Sequence, residues 1–317
     1  MRNSRRGARA LASLGPVTVG GVTLSSPFMT ASGTAGHDVE LDAYMPLAKL
    51  GATVAKSLFH EPWPGNPAPR VHLASAGMMN AVGLQGPGVT AWVNDSLPRC
   101  EQHGVTVVAS IWGRTVQEYV SAAEQLSRAE QRIVAIEINL SCPNLEGRSG
   151  IIAHDAELSA RIVTEVSKLV AVPVWAKLSA NTDRIVDVAR AVSESGAQAV
   201  TLINTMLGMQ IDVNSARPTL GNGGGGLSGA AIHPIAVRAV HDVRVALPNL
   251  DIIGVGGVSS GDDAIEMMLA GASAVQVGTA SFVDPAATWK IACHAARRAV
   301  LRGATSWDDI IGGMHRD

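Results

Sequence analysis

Cys142 is the side chain from which chemistry would start. It stands in INLSCPN (138–144), directly ahead of Pro143 and Asn144. Proline stiffens that loop and removes a competing N–H donor. A thiol held there has a pKa that its surroundings can move toward use as a base. Cys100 and Cys293 read differently, because a lone cysteine is ordinarily a small buried hydrophobe. Lys56 in VAKS (54–57) and Lys177 in WAKLS (175–179) interrupt apolar runs. Burying an ammonium is costly unless it is paired or placed where negative charge resides or develops. Either lysine alone reads as a side chain reaching the rim, but two at equivalent positions point to an anionic occupant. Asn80, Asn139, Asn144 and Asn204 add amides that both donate and accept. Together they complement a ring of alternating C=O and N–H groups, such as a pyrimidine-dione. Any one of them alone reads as a turn residue.

A second feature is glycine. Gly256-Gly257-Val258 and Gly278-Thr279-Ala280 each end an apolar run. Bare backbone at such points lets N–H groups approach a phosphate, and a following helix end adds favourable partial charge. The same glycines also serve tight strand-to-helix turns, and the pattern recurs in isomerases and synthases with phosphorylated substrates. The motif therefore indicates a phosphate without naming its bearer.

These residues need a scaffold that gathers distant segments. Buried-strand patterns occur at 27–32, 53–58, 106–112, 134–141, 173–179, 199–205, 252–258 and 274–280. Helical spacing fills the gaps, for example over 155–170 and 260–271, with Asp155 and Ser260 as N-caps and Gly271 as a stop. Eight strands that each precede a helix predict an α/β fold of the (β/α)8 TIM barrel type, with strands buried on both faces. VTVGGVTLSSP (17–27) predicts a hairpin turned at Gly20-Gly21. Two insertions, 59–87 and 206–230, follow strand C-terminal ends, the face on which barrel enzymes keep their active sites. Residues 17–317 are expected to form a single barrel domain. Residues 1–16, with four arginines and no acid, are expected to be a solvated, disordered arm.

The bulk numbers agree with that scaffold. Of 317 residues, 47% are hydrophobic and only 16% charged, which suits a large buried α/β interior. A net charge of −2 gives no reason to expect nucleic acid or an anionic membrane surface as partner. No apolar run approaches the roughly 20 residues that span a bilayer. Three scattered cysteines exclude a disulfide framework and point to a reducing, cytoplasmic setting.

At this level of detail the sequence resembles the class 1 dihydroorotate dehydrogenases. The resemblance rests on ASG (31–33), AKS (55–57), GNPAPRV (65–71), NAVGLQ (80–85), INLSCPN (138–144), AKLS (176–179) and INTMLG (203–208). GGLSGAAIHP (225–234), GVGGV (254–258) and VGTASF (277–282) complete it, in order, from about residue 17 to about residue 285. It implies oxidation of dihydroorotate to orotate in pyrimidine biosynthesis, with flavin mononucleotide (FMN) across the barrel mouth. Positions matching those that hold the flavin are Ala31, Gly33, Lys56, Ser57, Ser110, Asn139, Lys177, Ile203, Gly229, Gly256, Gly257, Gly278 and Thr279. Lys56, Asn80, Gly83, Leu84, Asn139, Asn144, Asn204 and Thr205 match positions that hold substrate. Cys142 matches the base that takes the C5 proton while hydride passes from C6 to flavin N5, with Lys56 beside it as a second catalytic residue.

Within class 1, GNPAPRV and NAVGLQ look more like the NAD-linked branch, which works with a second subunit carrying FAD and a 2Fe–2S cluster. The chain itself has neither a cysteine cluster for iron–sulfur ligation nor any credible GxGxxG after a strand. A homodimeric core is expected. Ser110, Trp112 and Gly86 depart from the pattern: asparagine is expected at 110 and 86, and a small residue at 112. A dihydropyrimidine dehydrogenase-like reductase shares the barrel, the flavin and a cysteine in NLSCP; Asn144 argues against it, since histidine is expected there. A non-redox isomerase or synthase explains the glycines but leaves Lys56, Cys142 and the asparagines without a role.

Overall fold

A computed structural model describes residues 2–141 and 150–316. Helix α1 (Arg2–Ser13) leads into a hairpin of β1 (Val17–Val19) and β2 (Val22–Leu24). There follow β3 (Phe28–Thr30), β4 (Ala52–Val54) and an antiparallel pair, β5 (Val71–Ala74) and β6 (Gly77–Asn80). Helix α2 (Val89–Ala91) widens into a π turn over Trp92–Ser96 and continues as α3 (Leu97–Gln102). Strand and helix then alternate: β7 (Val107–Ile111), α4 (Val116–Ser127), β8 (Ala135–Asn139), α5 (Ala156–Ser167), β9 (Val174–Lys177), α6 (Ile185–Glu194) and β10 (Ala199–Leu202). The second insertion contributes β11 (Met206–Gly208), β12 (Ile211–Asp212), β13 (Arg217–Pro218) and β14 (Gly225–Ser228). The chain ends with α7 (His233–Ala246), β15 (Asp251–Val255), α8 (Gly261–Leu269), β16 (Ala274–Val277), α9 (Ala280–Val283) and α10 (Ala287–Leu301).

Strands β3, β4, β7, β8, β9, β10, β15 and β16 close in that order into a parallel barrel, the eight apolar runs of the sequence. The fold is a (β/α)8 barrel. The expected caps are present: Asp155 accepts from the Leu158 N–H at 3.0 Å, and Ser260 forms a reciprocal box with Asp263. Gly271, two residues past α8, has φ +123°, a value that favours glycine.

The barrel interior is divided along its axis. At the N-terminal end Val17, Val19, Val22 and Leu24 of the hairpin are buried with Met29, Val54, Val108, Trp175 and Ile253 in one apolar cluster. The hairpin is locked from both sides. Trp175 Nε1 donates to the Gly20 carbonyl at 3.0 Å, and the Gly20 N–H donates to Asp251 Oδ2 at 2.8 Å. A Cβ on Gly20 would lie 2.3 Å from the Trp175 ring nitrogen, so only glycine fits. Toward the C-terminal end the inward residues become polar: Glu137 and Asn139 on β8, Lys177 on β9, Thr201 on β10 and Gln276 on β16, all buried.

The N-terminal arm differs from expectation. Residues 2–13 are helical where a disordered arm was expected. Gly7, Leu11 and Leu14 fall on one face and are buried, and α1 lies against α10. A Cβ on Gly7 would sit 2.5 Å from Cys293 Cβ, so glycine is what lets the helices meet. The two insertions, legible only as Pro-, Gly- and Asn-rich segments, form a four-stranded antiparallel sheet in the order β11-β14-β6-β5. Its glycines permit close stacking, since a Cβ on Gly77 would fall 1.9 Å from the Ser228 carbonyl and one on Gly225 2.4 Å from the Asn80 carbonyl.

Candidate active site

Polar strand ends on one side and a glycine-rich sheet on the other enclose a cavity of about 710 Å³ at the C-terminal mouth of the barrel. From the barrel come Ala31, Gly33, Lys56, Ser57, Asn139, Lys177, Ile203, Asn204, Thr205, Gly256, Gly257, Gly278 and Thr279. The insertions add Asn80, Gly83, Leu84 and Gly229. All of these were singled out in the sequence, and all line this one space. Ser110 does not. It is fully buried behind Ser57, with the two Oγ atoms 2.9 Å apart. Cys142 and Asn144 lie outside the described residues.

Ser110 belongs to a chain of neutral hydrogen bonds. Ser57 Oγ is 3.2 Å from Ser32 Oγ and accepts from Asn139 Nδ2 at 3.2 Å. Asn139 Oδ1 accepts from Asn204 Nδ2 at 3.2 Å and from the Ser141 N–H at 3.1 Å. Asn204 Oδ1 in turn accepts from the Thr205 N–H at 2.8 Å. Each amide is thereby fixed in orientation, which pre-organises the face it turns to an occupant. Asn181, which the sequence reading passed over, also lines the cavity. It braces the same turn by donating to the Thr205 carbonyl at 3.0 Å and accepting from the Leu207 N–H at 2.7 Å.

Two cations face this space. Lys56 is half-buried, and its pKa lies below the ordinary lysine value of 10.5, first because burial disfavours the ammonium and then because Arg70 repels it. Lys177 is almost wholly enclosed, with Nζ 3.9 Å from Oε1 of the completely buried Glu137. Glu137 Oε2 accepts from Thr201 Oγ1 at 2.9 Å and from Gln276 Nε2 at 2.7 Å. These three residues beneath Lys177 were missed in the sequence. The signal was present, because a glutamate in the middle of VAIEINLS is the same anomaly that drew attention to the two lysines.

The loop carrying Gly83 and Leu84 is held from behind. Trp63 Nε1 donates to the Gly83 carbonyl at 3.0 Å, and Asn66 Nδ2 donates to the Ala81 carbonyl at 3.1 Å. Arg70 ties the same segment together through the Pro64 and Asn66 carbonyls and the Gln85 side chain. Behind Trp63, Phe59 and Trp112 lie with ring centroids 4.7 Å apart, and the Arg114 guanidinium sits 4.8 Å from the Trp63 ring. Trp112 is therefore part of this brace and not of the cavity lining.

The glycines leave bare backbone at the end of β15 and before α7. Gly257 has φ +68°, and its Cβ would lie 2.6 Å from His233 Cβ and 2.8 Å from the Gly229 carbonyl. Beside it, Thr279 Oγ1 donates to Ser228 Oγ at 2.8 Å, giving two hydroxyls on the same wall. Neutral donors and bare backbone on one side, with an ammonium on the floor, suit a ligand that carries both a phosphate and a ring able to take up negative charge.

A family model described as dihydroorotate dehydrogenase matches residues 15–297. The chain belongs to the dihydroorotate dehydrogenase family. Among its relatives is a protein of Geobacter metallireducens named the catalytic subunit of dihydroorotate dehydrogenase B (NAD(+)), 41% identical over 298 residues that cover 94% of this chain and 97% of that one. Proteins of the same name from Desulforudis audaxviator and Listeria monocytogenes are 44% and 41% identical, over 95% and 93% of this chain and 97% and 96% of theirs. A dihydroorotate dehydrogenase family barrel accounts for the joint presence of the glycine-rich wall, the buried ammonium and the amide set, which a non-redox phosphate-binding barrel does not.

Proposed function

We propose that this chain catalyses the FMN-dependent oxidation of dihydroorotate to orotate, as the catalytic subunit of a two-subunit enzyme of pyrimidine biosynthesis. The observation that carries the reading is the convergence of Lys56, Asn80, Asn139, Lys177 and Asn204 on one cavity bounded by Gly257 and Gly278. The cavity is of a size that holds a nucleotide cofactor with a small ring beside it.

The residues present fit a flavin. Gly229, Gly256, Gly257, Gly278, Thr279 and Ser228 would hold its phosphate, and Ala31, Gly33, Ser57, Asn139, Lys177 and Ile203 its ring system. When bound, the flavin supplies the hydride acceptor. Lys177 holds a positive charge on the floor, where reduction adds negative charge. Lys56, with the backbone of Gly83 and Leu84, receives the substrate carboxylate. Asn80, Asn139, Asn144, Asn204 and Thr205 orient the dione ring. Cys142 takes the proton from C5. The other thiols are poor bases at neutral pH, because burial pushes Cys100 up to about 12 and Cys293 up to about 11.

The relatives named above are catalytic subunits, which supports a partner that passes electrons onward. An FAD and 2Fe–2S subunit fits that role. We place the enzyme in the cytoplasm, where three scattered thiols stay reduced, and expect a homodimeric core. Among the described residues no helix is long and apolar enough to cross a membrane.

Anaerobic mixing of the purified chain with dihydroorotate, followed by flavin absorbance, tests the reading. Dihydroorotate should bleach the flavin and dihydrouracil should not. Cys142→Ala should retain the flavin but lose about 10²-fold to 10⁴-fold in the rate of bleaching, the usual share of a general base. Equal bleaching by dihydrouracil, or an unchanged rate in the variant, would refute it.

A further inference from the structure

Glu137 has no place in the binding scheme above, and its surroundings are unusual. Its side chain is completely buried, which for a carboxylate requires compensation. Oε2 receives two hydrogen bonds from neutral donors, Thr201 and Gln276. Oε1 receives none from the described residues. The ammonium facing it, Lys177 Nζ, stands at 3.9 Å, beyond the 2.7–3.2 Å of an N–H···O bond. The pair thus attracts by charge alone, and the N–H protons of Lys177 remain available to the cavity that it lines. Were Oε1 to take a direct hydrogen bond, one of those protons would be tied up inside the barrel wall.

We infer that Glu137 is a positioning residue that cancels the charge of Lys177 from below and thereby sets the reduction potential of the flavin. This rests on the flavin reading of the site. Uptake of a hydride adds one negative charge to a neutral ring system. Lys177 favours that charge, and Glu137, one layer deeper, opposes it. A floor with the lysine alone would hold the reduced flavin too tightly and slow the onward transfer of its electrons. The paired floor moderates the preference while leaving the lysine protons aimed at the occupant.

The test is a reductive titration of wild type and Glu137→Gln with a chemical reductant and a reference dye, without dihydroorotate. Affinities for oxidised and reduced FMN are measured alongside. The variant should bind oxidised FMN within about twofold of wild type and reduced FMN at least about tenfold more tightly, a rise of about 30 mV for a two-electron couple. A residue with a merely structural role would shift both affinities together and leave the potential where it was, and that result overturns the inference. If Glu137→Gln does not accumulate as folded flavoprotein, the double variant Glu137→Gln/Lys177→Met decides. Removing both charges should restore folding and flavin binding, with a potential below wild type. A double variant as unstable as the single one would overturn the proposal. A wild-type chain that binds no flavin would overturn this inference and the proposed function together, whereas failure with dihydroorotate alone leaves the titration intact.

Discussion

Lys56 and Lys177 are both lysines at strand ends, yet their settings differ. Lys177 is paired and enclosed, whereas Lys56 is half-buried, held below its ordinary pKa by burial and by Arg70. A lysine that binds an anionic substrate must be protonated. The KM for dihydroorotate should therefore rise with pH at a midpoint below 10.5, and Lys56→Met should raise KM at neutral pH and abolish that rise. A pH-independent KM in the wild type would disprove the role. The linkage has the matching sign. The unfolded chain binds the proton more tightly than the folded one, so the ammonium is a stability cost at neutral pH. That cost is relieved as pH climbs through the folded pKa. Much of this was legible in the sequence, because a charge in an apolar run announces itself. Glu137 is legible on the same grounds, as an acid in an apolar run, but its approach to Lys177 depends on the register of β8 against β9. The position of Ser110 was not legible: whether a strand hydroxyl faces the cavity or a neighbouring hydroxyl depends on the register of three strands.

At the level of elements, the eight strands and their helices were readable because burial on both faces leaves uninterrupted apolar runs, and caps such as Asp155 and Ser260 mark helix starts. The sheet over the mouth was not. Its strand Gly225–Ser228 carries almost no side-chain pattern, and its fit comes from the absence of Cβ atoms. Helix Arg2–Ser13 was missed for a related reason, as its described contact face is small, with Gly7, Ala10 and Leu11 followed by Leu14 just beyond the helix. The brace behind Gly83 also emerges only in three dimensions. Trp63 supplies the donor for the Gly83 carbonyl, and both Gly83 and Leu84 sit at positive φ, so the loop depends on outside support. Replacing Trp63 with Phe keeps the ring stack but removes that donor. We expect KM for dihydroorotate to rise about fivefold, the equivalent of one net hydrogen bond, with flavin affinity and kcat within about twofold. Equal losses in kcat and flavin affinity would assign Trp63 to general stability instead.

For the molecule as a whole, the strand-end lysines, the amides and the bare glycines all border the same cavity, which the proposed flavin and dihydroorotate fill between them. The isolated chain should then accept electrons from dihydroorotate but exchange them poorly with NADH. Stopped-flow mixing with NADH should bleach the flavin at least about 10²-fold more slowly than dihydroorotate does, since a hydride donor without a positioned binding site forfeits the advantage of orientation. Rapid reduction by NADH without any partner would overturn the two-subunit arrangement.

The hairpin at 17–24 gives the barrel a stopper. With Trp175 and Asp251 fastened to Gly20, the hairpin plugs the end of the barrel opposite the cavity. In the proposed reading, a flavin resting on Lys177 arrives before the substrate and departs after it. The deeper occupant would then be a lodger that stays through many turnovers, and the shallower one a caller whose departure precedes any exchange beneath it.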